Sequence, residues 1–174
     1  MTSSPSVSLV EKLAPWHQVE RFRCGKNSLD LFLRRHALGN QGSGSSQTYV
    51  VHRENVVLGY YSLVFGSIRL EDSPASVGAA LPPRYPVPAM VFARFAVDRS
   101  VQRLGIGKAL LKDAFLRTLA AAEIAGLAAI LVDAIDDKMV TFYEGYGFEK
   151  CPGEPRKLMI PIRVVRDHLA PAAR

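Results

Sequence analysis

Two glycines, Gly105 and Gly107, lie inside the run Gln102-Arg103-Leu104-Gly105-Ile106-Gly107-Lys108, where a β-prone stretch hands over to a long helical pattern. The first turn of a helix leaves backbone N–H groups without partners and carries the positive end of the helix dipole, so it stabilises an anion such as a phosphate. Missing side chains at both glycines let those amides approach a pyrophosphate closely, and Arg103 and Lys108 add charge-assisted contacts. The run is neither G-x-x-x-x-G-K-[ST] nor G-x-G-x-x-G, because Ala109 follows Lys108 and no third glycine closes the pattern. Nucleoside triphosphate and dinucleotide binding lose ground accordingly. On their own, two glycines more often serve close helix packing, so the surrounding elements must decide.

Other chemistry is thinner. Arg21, Arg23, Lys26, Arg34 and Arg35 face only Asp30 within one short segment, which makes either a solvated helix face or a surface that meets nucleic-acid phosphates. Arg94 alternates with Ala93 and Phe95 and either lines an acceptor cleft or pairs with an acid. His17, His36, His52 and His168 form no H-E-x-x-H or H-x-E arrangement, so no metal site is expected. Ser62, Ser67 and Ser76 lie outside any G-x-S-x-G turn, and Cys24 and Cys151 have no identifiable base, which leaves hydrolase chemistry unsupported.

The elements that must position these residues can be read from periodicity. Alternation over residues 7–13 predicts a first strand. Asn27 or Ser28 offers a cap for an amphipathic helix carrying Leu29, Phe32, Leu33 and Leu38, with Gly39 and Asn40 as its stop and residues 41–46 as a mobile loop. Residues 48–52, a Glu54-Asn55 turn and residues 56–70 predict an antiparallel hairpin. The prolines of residues 72–88 predict a long irregular excursion, followed by a strand over 90–97. Leu111, Ala114, Phe115, Thr118, Leu119 and Ala122 share one face of the helix behind Gly107, which Gly126 ends. A buried strand over 128–134 follows, then a short helix capped by Asp136 or Asp137. Two closing strands are expected near Phe148 and over 157–162.

In sequence order, Phe95-Ala96-Val97-Asp98 followed by Gln102 to Gly107 resembles the coenzyme motif [QR]-x-x-G-x-[GA] of the GCN5-related N-acetyltransferases (GNAT). Phe142-Tyr143-Glu144-Gly145-Tyr146-Gly147-Phe148 resembles the F-Y-x-x-x-G-F signature of the same family. Phe22-Arg23-Cys24-Gly25 with Leu29-Asp30-Leu31-Phe32-Leu33-Arg34-Arg35-His36-Ala37 is similar to the N-terminal block of its type II toxin-antitoxin subgroup.

The resemblance implies a mixed α/β fold, a mostly antiparallel splayed sheet flanked by helices, and a single domain over residues 1–174. It implies transfer of acetyl from acetyl-CoA to an amine without an acyl-enzyme. Phe95, Ala96 and Val97 would hold the pantetheine by main-chain hydrogen bonds, and Gln102, Arg103, Leu104, Gly105, Ile106, Gly107 and Lys108 would form the pyrophosphate site. Tyr143, an ordinary phenol of pKa about 10, would protonate the departing thiolate as general acid. Read without the motif, Tyr143 is a core aromatic with a hydrogen-bonded tip. Glu144 is either a general base or a surface carboxylate. The subgroup implies aminoacyl-tRNA as acceptor, met by Arg21, Arg23, Lys26, Arg34, Arg35 and Arg94, with translation blocked. It also implies a ribbon-helix-helix antitoxin and a homodimer. Rival expectations are acetylation of a small-molecule or protein amine, and a noncatalytic acyl-coenzyme A sensor or scaffold.

Composition sets the outer bounds. At 174 residues, with 48% hydrophobic and 22% charged residues, the chain is globular in character. The net charge of +6 favours an anionic ligand. The most apolar window, residues 119–135, is broken by Glu123, Gly126 and Asp133, so no membrane span is expected. Residues 1–8 lack a basic stretch followed by an apolar one, and two distant cysteines suit a reducing compartment, so the expected location is cytoplasmic.

Overall fold

In the computed structural model, which describes residues 6–171, the chain forms β1 Glu11–Lys12, α1 Asn27–Leu31, a π-helical turn Phe32–His36 and α2 Ala37–Ser43. These are followed by β2 Gln47–Arg53, β3 Val56–Ile68, α3 Ala75–Gly78, β4 Val87–Val97 and α4 Ile106–Ala122. The chain closes with β5 Ala129–Asp133, α5 Asp137–Glu144, β6 Glu149–Cys151, β7 Glu154–Pro161 and α6 Ile162–Leu169. The strands run β1-β2-β3-β4-β5-β7-β6 in one sheet. Strands β4 and β5 are parallel, whereas β1-β2, β2-β3, β5-β7 and β6-β7 are antiparallel. The sheet is therefore mixed and mostly antiparallel. The N-terminal stretch read for a leader lies outside the described residues as far as Pro5.

Contacts divide the chain into two units. The first contains the described residues up to Val64 together with Ala93–Ala114. Its β2–β3 hairpin turns at Glu54 and Asn55, whose φ values of 50° and 69° place both in the left-handed region that a two-residue primed turn needs. Its core gathers Phe22, Leu29, Phe32, Leu33, Ala37, Val50 and Val57 around Tyr60. Tyr60 is fully buried yet satisfied, because its hydroxyl donates to the Leu29 carbonyl at 2.7 Å. Gly59 lets α4 close on β3: an added Cβ would stand 2.9 Å from Leu110 Cδ1 and 3.1 Å from Ile106 Cγ2.

Three expectations for this unit need correction. The first strand is shorter than residues 7–13, because the Ser8 hydroxyl rather than a strand carbonyl accepts the His52 N–H, at 2.9 Å. The first helical region does not stop at Gly39-Asn40 but runs to Ser43, where Gly44 at φ 79° supplies the left-handed cap. Gly39 looks into open space and so does not interrupt the packing. Gln41, expected in a mobile loop, is fixed: its side chain donates to the Leu13 carbonyl at 2.7 Å and accepts from the Thr48 N–H at 3.1 Å.

The second unit contains Phe65–Phe92 and the chain from Phe115 onward. Val77, Val87, Ala89, Ala129, Leu131, Cys151 and Met159 form one of its cores. The excursion expected over residues 72–88 is more ordered than the prolines suggest. A 3₁₀ turn, Leu70–Asp72, and helix α3 occupy it, and Val77 is buried. Strand β4 already begins at Val87, with Pro88 near its start, where a missing N–H costs least. Helix α6 was not expected: the closing strand expected over residues 157–162 ends at Pro161, and Ile162 and Val165 bury one face of a helix.

Candidate active site

In the first unit, β4 ends at Val97 and the chain passes through a tight 3₁₀ turn, Arg99–Val101, before α4. Asp98 caps that turn by accepting the Ser100 N–H and hydroxyl at 3.0 and 2.7 Å. The side-chain amide of Gln102 donates to the carbonyls of Val97 and Cys24, each at 3.0 Å. Gln102 thus holds the loop with both of its hydrogens. Arg103 (φ 64°) and Gly105 (φ 87°) are left-handed. The first helical N–H to reach back four residues is that of Ala109, which donates to the Gly105 carbonyl at 3.1 Å. The amides of Ile106, Gly107 and Lys108 precede it and form the helix start.

The two glycines differ in what they do. Gly105 is required by its backbone conformation, with open space where a Cβ would stand. Gly107 has no such requirement, and an added Cβ would find only ordinary contacts, 3.9 Å to Phe95 Cε1 and Val97 Cγ2. Arg103, Leu104 and Lys108 are exposed, Phe95 and Val97 half-buried and Ala96 buried. Ile106 is buried against the space left by Gly59, so its side chain anchors the helix start.

The cationic residues of this unit are arranged unevenly. Arg21, Lys26 and Arg35 are exposed. Arg23 is exposed too but donates to the carbonyls of Glu20 and Phe22, and half-buried Arg34 donates to the Asp30 carbonyl. The Arg94 guanidinium lies 4.6 Å over the Phe32 ring and donates to the Ala93 carbonyl. What the sequence reading missed is that this segment is bonded to the glycine loop. The Arg23 N–H donates to Asp98 Oδ2 at 2.9 Å, and the Arg99 N–H donates to the Arg23 carbonyl at 2.8 Å. Asp98 was visible only as a letter of the strand motif.

Cys24 is held by burial and by Asp30 at a pKa pushed up to about 11, and burial pushes Cys151 up to about 11. Both remain thiols at neutral pH, and neither is an activated nucleophile.

The second unit carries Tyr143 on α5, a helix capped by Asp136, which accepts the Met139 N–H at 2.9 Å. Tyr143 is buried, 5.4 Å from the Phe142 ring centroid and 5.1 Å from that of Phe148, and burial raises its phenol pKa. Glu144 is exposed, with Lys150 Nζ 4.0 Å away.

One cluster escaped the sequence reading because its members are far apart along the chain. Glu11 Oε1 accepts from His17 Nε2 at 2.8 Å and from His52 Nε2 at 2.7 Å, and the ligand atoms of the three residues lie within 4.8 Å of one another. A metal held by the two Nε2 atoms would need Nδ1 protonated. Instead, His17 Nδ1 accepts the Ala14 N–H and His52 Nδ1 the Asn55 N–H, at 2.9 and 3.1 Å. That bonding fits neutral rings with hydrogen on Nε2, which suits a carboxylate and opposes a cation.

Comparison with known proteins gives the family of the chain. The model of the acetyltransferase (GNAT) domain matches residues 30–160, most of the chain. The chain belongs to the GNAT acetyltransferase family. A tRNA-acetylating toxin of Mycobacterium tuberculosis (strain ATCC 25618 / H37Rv) is 38% identical over 159 residues, covering 91% of this chain and 95% of that protein. Among solved structures, AtaT complexed with acetyl-methionyl-tRNAfMet superposes with a TM-score of 0.86 at 27% identity, covering 95% of this chain and all of that one. AtaTR bound with AcCoA gives 0.79 at 26% identity, covering 94% and 98%. A mutant AtaT bound to the C-terminus of the antitoxin AtaR gives 0.81 at 25% identity, covering 95% and 99%. No helix of the described residues is long and apolar enough to cross a membrane.

Proposed function

We propose that this GNAT domain transfers the acetyl group of acetyl-CoA to the amino group of an aminoacyl-tRNA, as the toxin of a type II toxin-antitoxin pair, and so blocks translation. The observation that carries this reading is the bonding of a cationic segment, Arg21 to Lys26, directly to the helix-start loop suited to a pyrophosphate. The identity to the mycobacterial toxin supports it along nearly the whole chain.

In this reading the amides of residues 105–108, with Arg103 and Lys108, hold the diphosphate, and the main chain of Phe95, Ala96 and Val97 holds the pantetheine. The free amine attacks the thioester carbon, and a main-chain N–H of β4 stabilises the oxyanion as charge develops. The carbon–sulfur bond then breaks, the Tyr143 hydroxyl gives its proton to the departing thiolate, and the amine releases its own proton to water. A phenol keeps its proton across the physiological range, as a donor requires, while burial raises its pKa further above that of the thiol it protonates. Glu144, paired with Lys150 at the surface, is given no part. Arg21, Arg23, Lys26, Arg34, Arg35 and Arg94 face the tRNA in this reading. No metal takes part. The remaining partners are a ribbon-helix-helix antitoxin and a second copy of the chain, residues 1–174 act as one domain, and the location is the cytoplasm.

The test is acetyl transfer from radiolabelled acetyl-CoA to charged tRNA at increasing salt. Label on the aminoacyl group, with tRNA affinity falling on the order of a hundredfold between 50 and 200 mM salt, is expected for a phosphate-dominated contact. Label on free amines or protein alone would instead favour a small-molecule or protein acceptor.

A further inference from the structure

Asp98 carries the wrong charge for its position. It precedes a loop whose amides and cations suit anions, and a carboxylate near a phosphate opposes binding. Its bonding supplies the reason. Oδ1 accepts twice from Ser100, which folds the turn on itself, while Oδ2 reaches across 75 residues to the Arg23 N–H. The Arg99 N–H returns to the Arg23 carbonyl, and the Gln102 amide reaches the Cys24 carbonyl. The Arg99 guanidinium lies along Gly25, 3.6 and 3.7 Å from where a Cβ would stand, and Gly25 is itself left-handed at φ 99°. Three hydrogen bonds, one of them to a charged acceptor, therefore join the segment bearing Arg21, Arg23 and Lys26 to the coenzyme loop.

We infer that Asp98 is a positioning residue, whose carboxylate fixes the cationic segment beside the phosphate-binding loop so that the coenzyme and the phosphodiester backbone of the acceptor are held in one register. The inference rests on the tRNA reading above. Asp98 touches neither substrate; it acts through the main chain of Arg23 and Arg99.

The test compares wild-type protein with Asp98→Asn, Ser100→Ala and Gln102→Met. It measures acetyl-CoA affinity by calorimetry, affinity for uncharged tRNA by filter binding at fixed salt, and kcat and KM for aminoacyl-tRNA. Asp98→Asn keeps the shape but weakens the bond to Arg23, so tRNA Kd and KM should rise about tenfold, the size of one lost hydrogen bond to a charged group. At saturating tRNA, kcat should stay within about threefold of wild type. Acetyl-CoA should bind no more weakly than before, since a negative charge has left its surroundings. Ser100→Ala, which cuts only the local bond, should leave tRNA affinity unchanged.

Unchanged or tighter tRNA binding by Asp98→Asn would overturn the inference, because the carboxylate would then act at most as a repelling charge. An equal loss of acetyl-CoA affinity would also overturn it, since the role would be to hold up the loop. If Asp98→Asn does not fold, Gln102→Met decides: it cuts the bonds to Cys24 and Val97 and should weaken tRNA binding, and undiminished binding would overturn the inference. A wild-type protein that binds no tRNA would instead sink the proposed function, and this inference with it.

Discussion

At the residue scale, the chemistry proposed for this GNAT domain turns on a phenol and two glycines. Tyr143→Phe removes one hydroxyl from a buried ring, so fold and coenzyme binding should persist while turnover falls about 100-fold or more in single-turnover assays. The pH profile gives a second check. A general acid loses rate only as pH rises through its pKa, and burial moves that of Tyr143 above the ordinary 10. The attacking amine must be neutral, so rate should climb through about pH 8. No alkaline fall should appear below pH 10, and one there would belong to another group. The glycines should separate stability from binding. Gly105→Ala strains a left-handed position and should cost about 1–2 kcal/mol in urea melts. Gly107→Ala removes a flexible residue from a helix and should gain up to about 1 kcal/mol. Both should raise the KM for acetyl-CoA, Gly107→Ala without any loss of stability.

At the element scale, the position of the coenzyme loop depends on how closely α4 approaches β3. Gly59→Val would drive a branched side chain into Leu110, Ile106 and Val51, which an added Cβ alone would meet at 2.9, 3.1 and 3.2 Å. Overpacking of this kind should cost about 1–3 kcal/mol, and coenzyme affinity should fall in parallel as the helix start lifts. Helix α4 and the β2–β3 hairpin were legible because period and turn residues agree: Leu111, Ala114, Phe115 and Thr118 are all buried, and Glu54 and Asn55 both turn left-handed. The helix end at Ser43 was not legible, because a glycine stops a helix only where its conformation changes. Gly39 stays helical on an open face, and Gly44 does not. Helix α6 was hidden for the opposite reason, since tertiary burial of Ile162 and Val165 overrode their β preference. The order of elements put the glycine run at the start of a long helix and Tyr143 on a short one, and the structure has both there. That order could not reveal that Asp98 reaches Arg23, because side-chain bonds across 75 residues leave no periodic trace.

At the scale of the whole molecule, the clasp of Glu11, His17 and His52 ties the N-terminal strap to the hairpin and makes stability depend on pH. Hydrogen bonds from His17, then His52, hold the Glu11 pKa below its ordinary 4.5. A depressed carboxylate contributes stability that is fully present above its unfolded value and is lost as pH falls through the folded one. Thermal unfolding followed by circular dichroism should therefore show a Tm that is flat from pH 7 to 5 on account of this group and falls below about 4.5. Glu11→Gln should flatten that acid limb, and an identical limb in the variant would remove Glu11 as its source. The π-helical turn has a consequence for the length of the chain. The Ala37 N–H reaches the Phe32 carbonyl, five residues back, so the turn houses one residue more than an α-helix would. Excising Arg35 would restore the common period with Phe32, Leu33 and the alanine still facing inward, at the loss of a single surface cation. The extra residue thus lets the helix present one more cation outward while its apolar side chains keep facing inward.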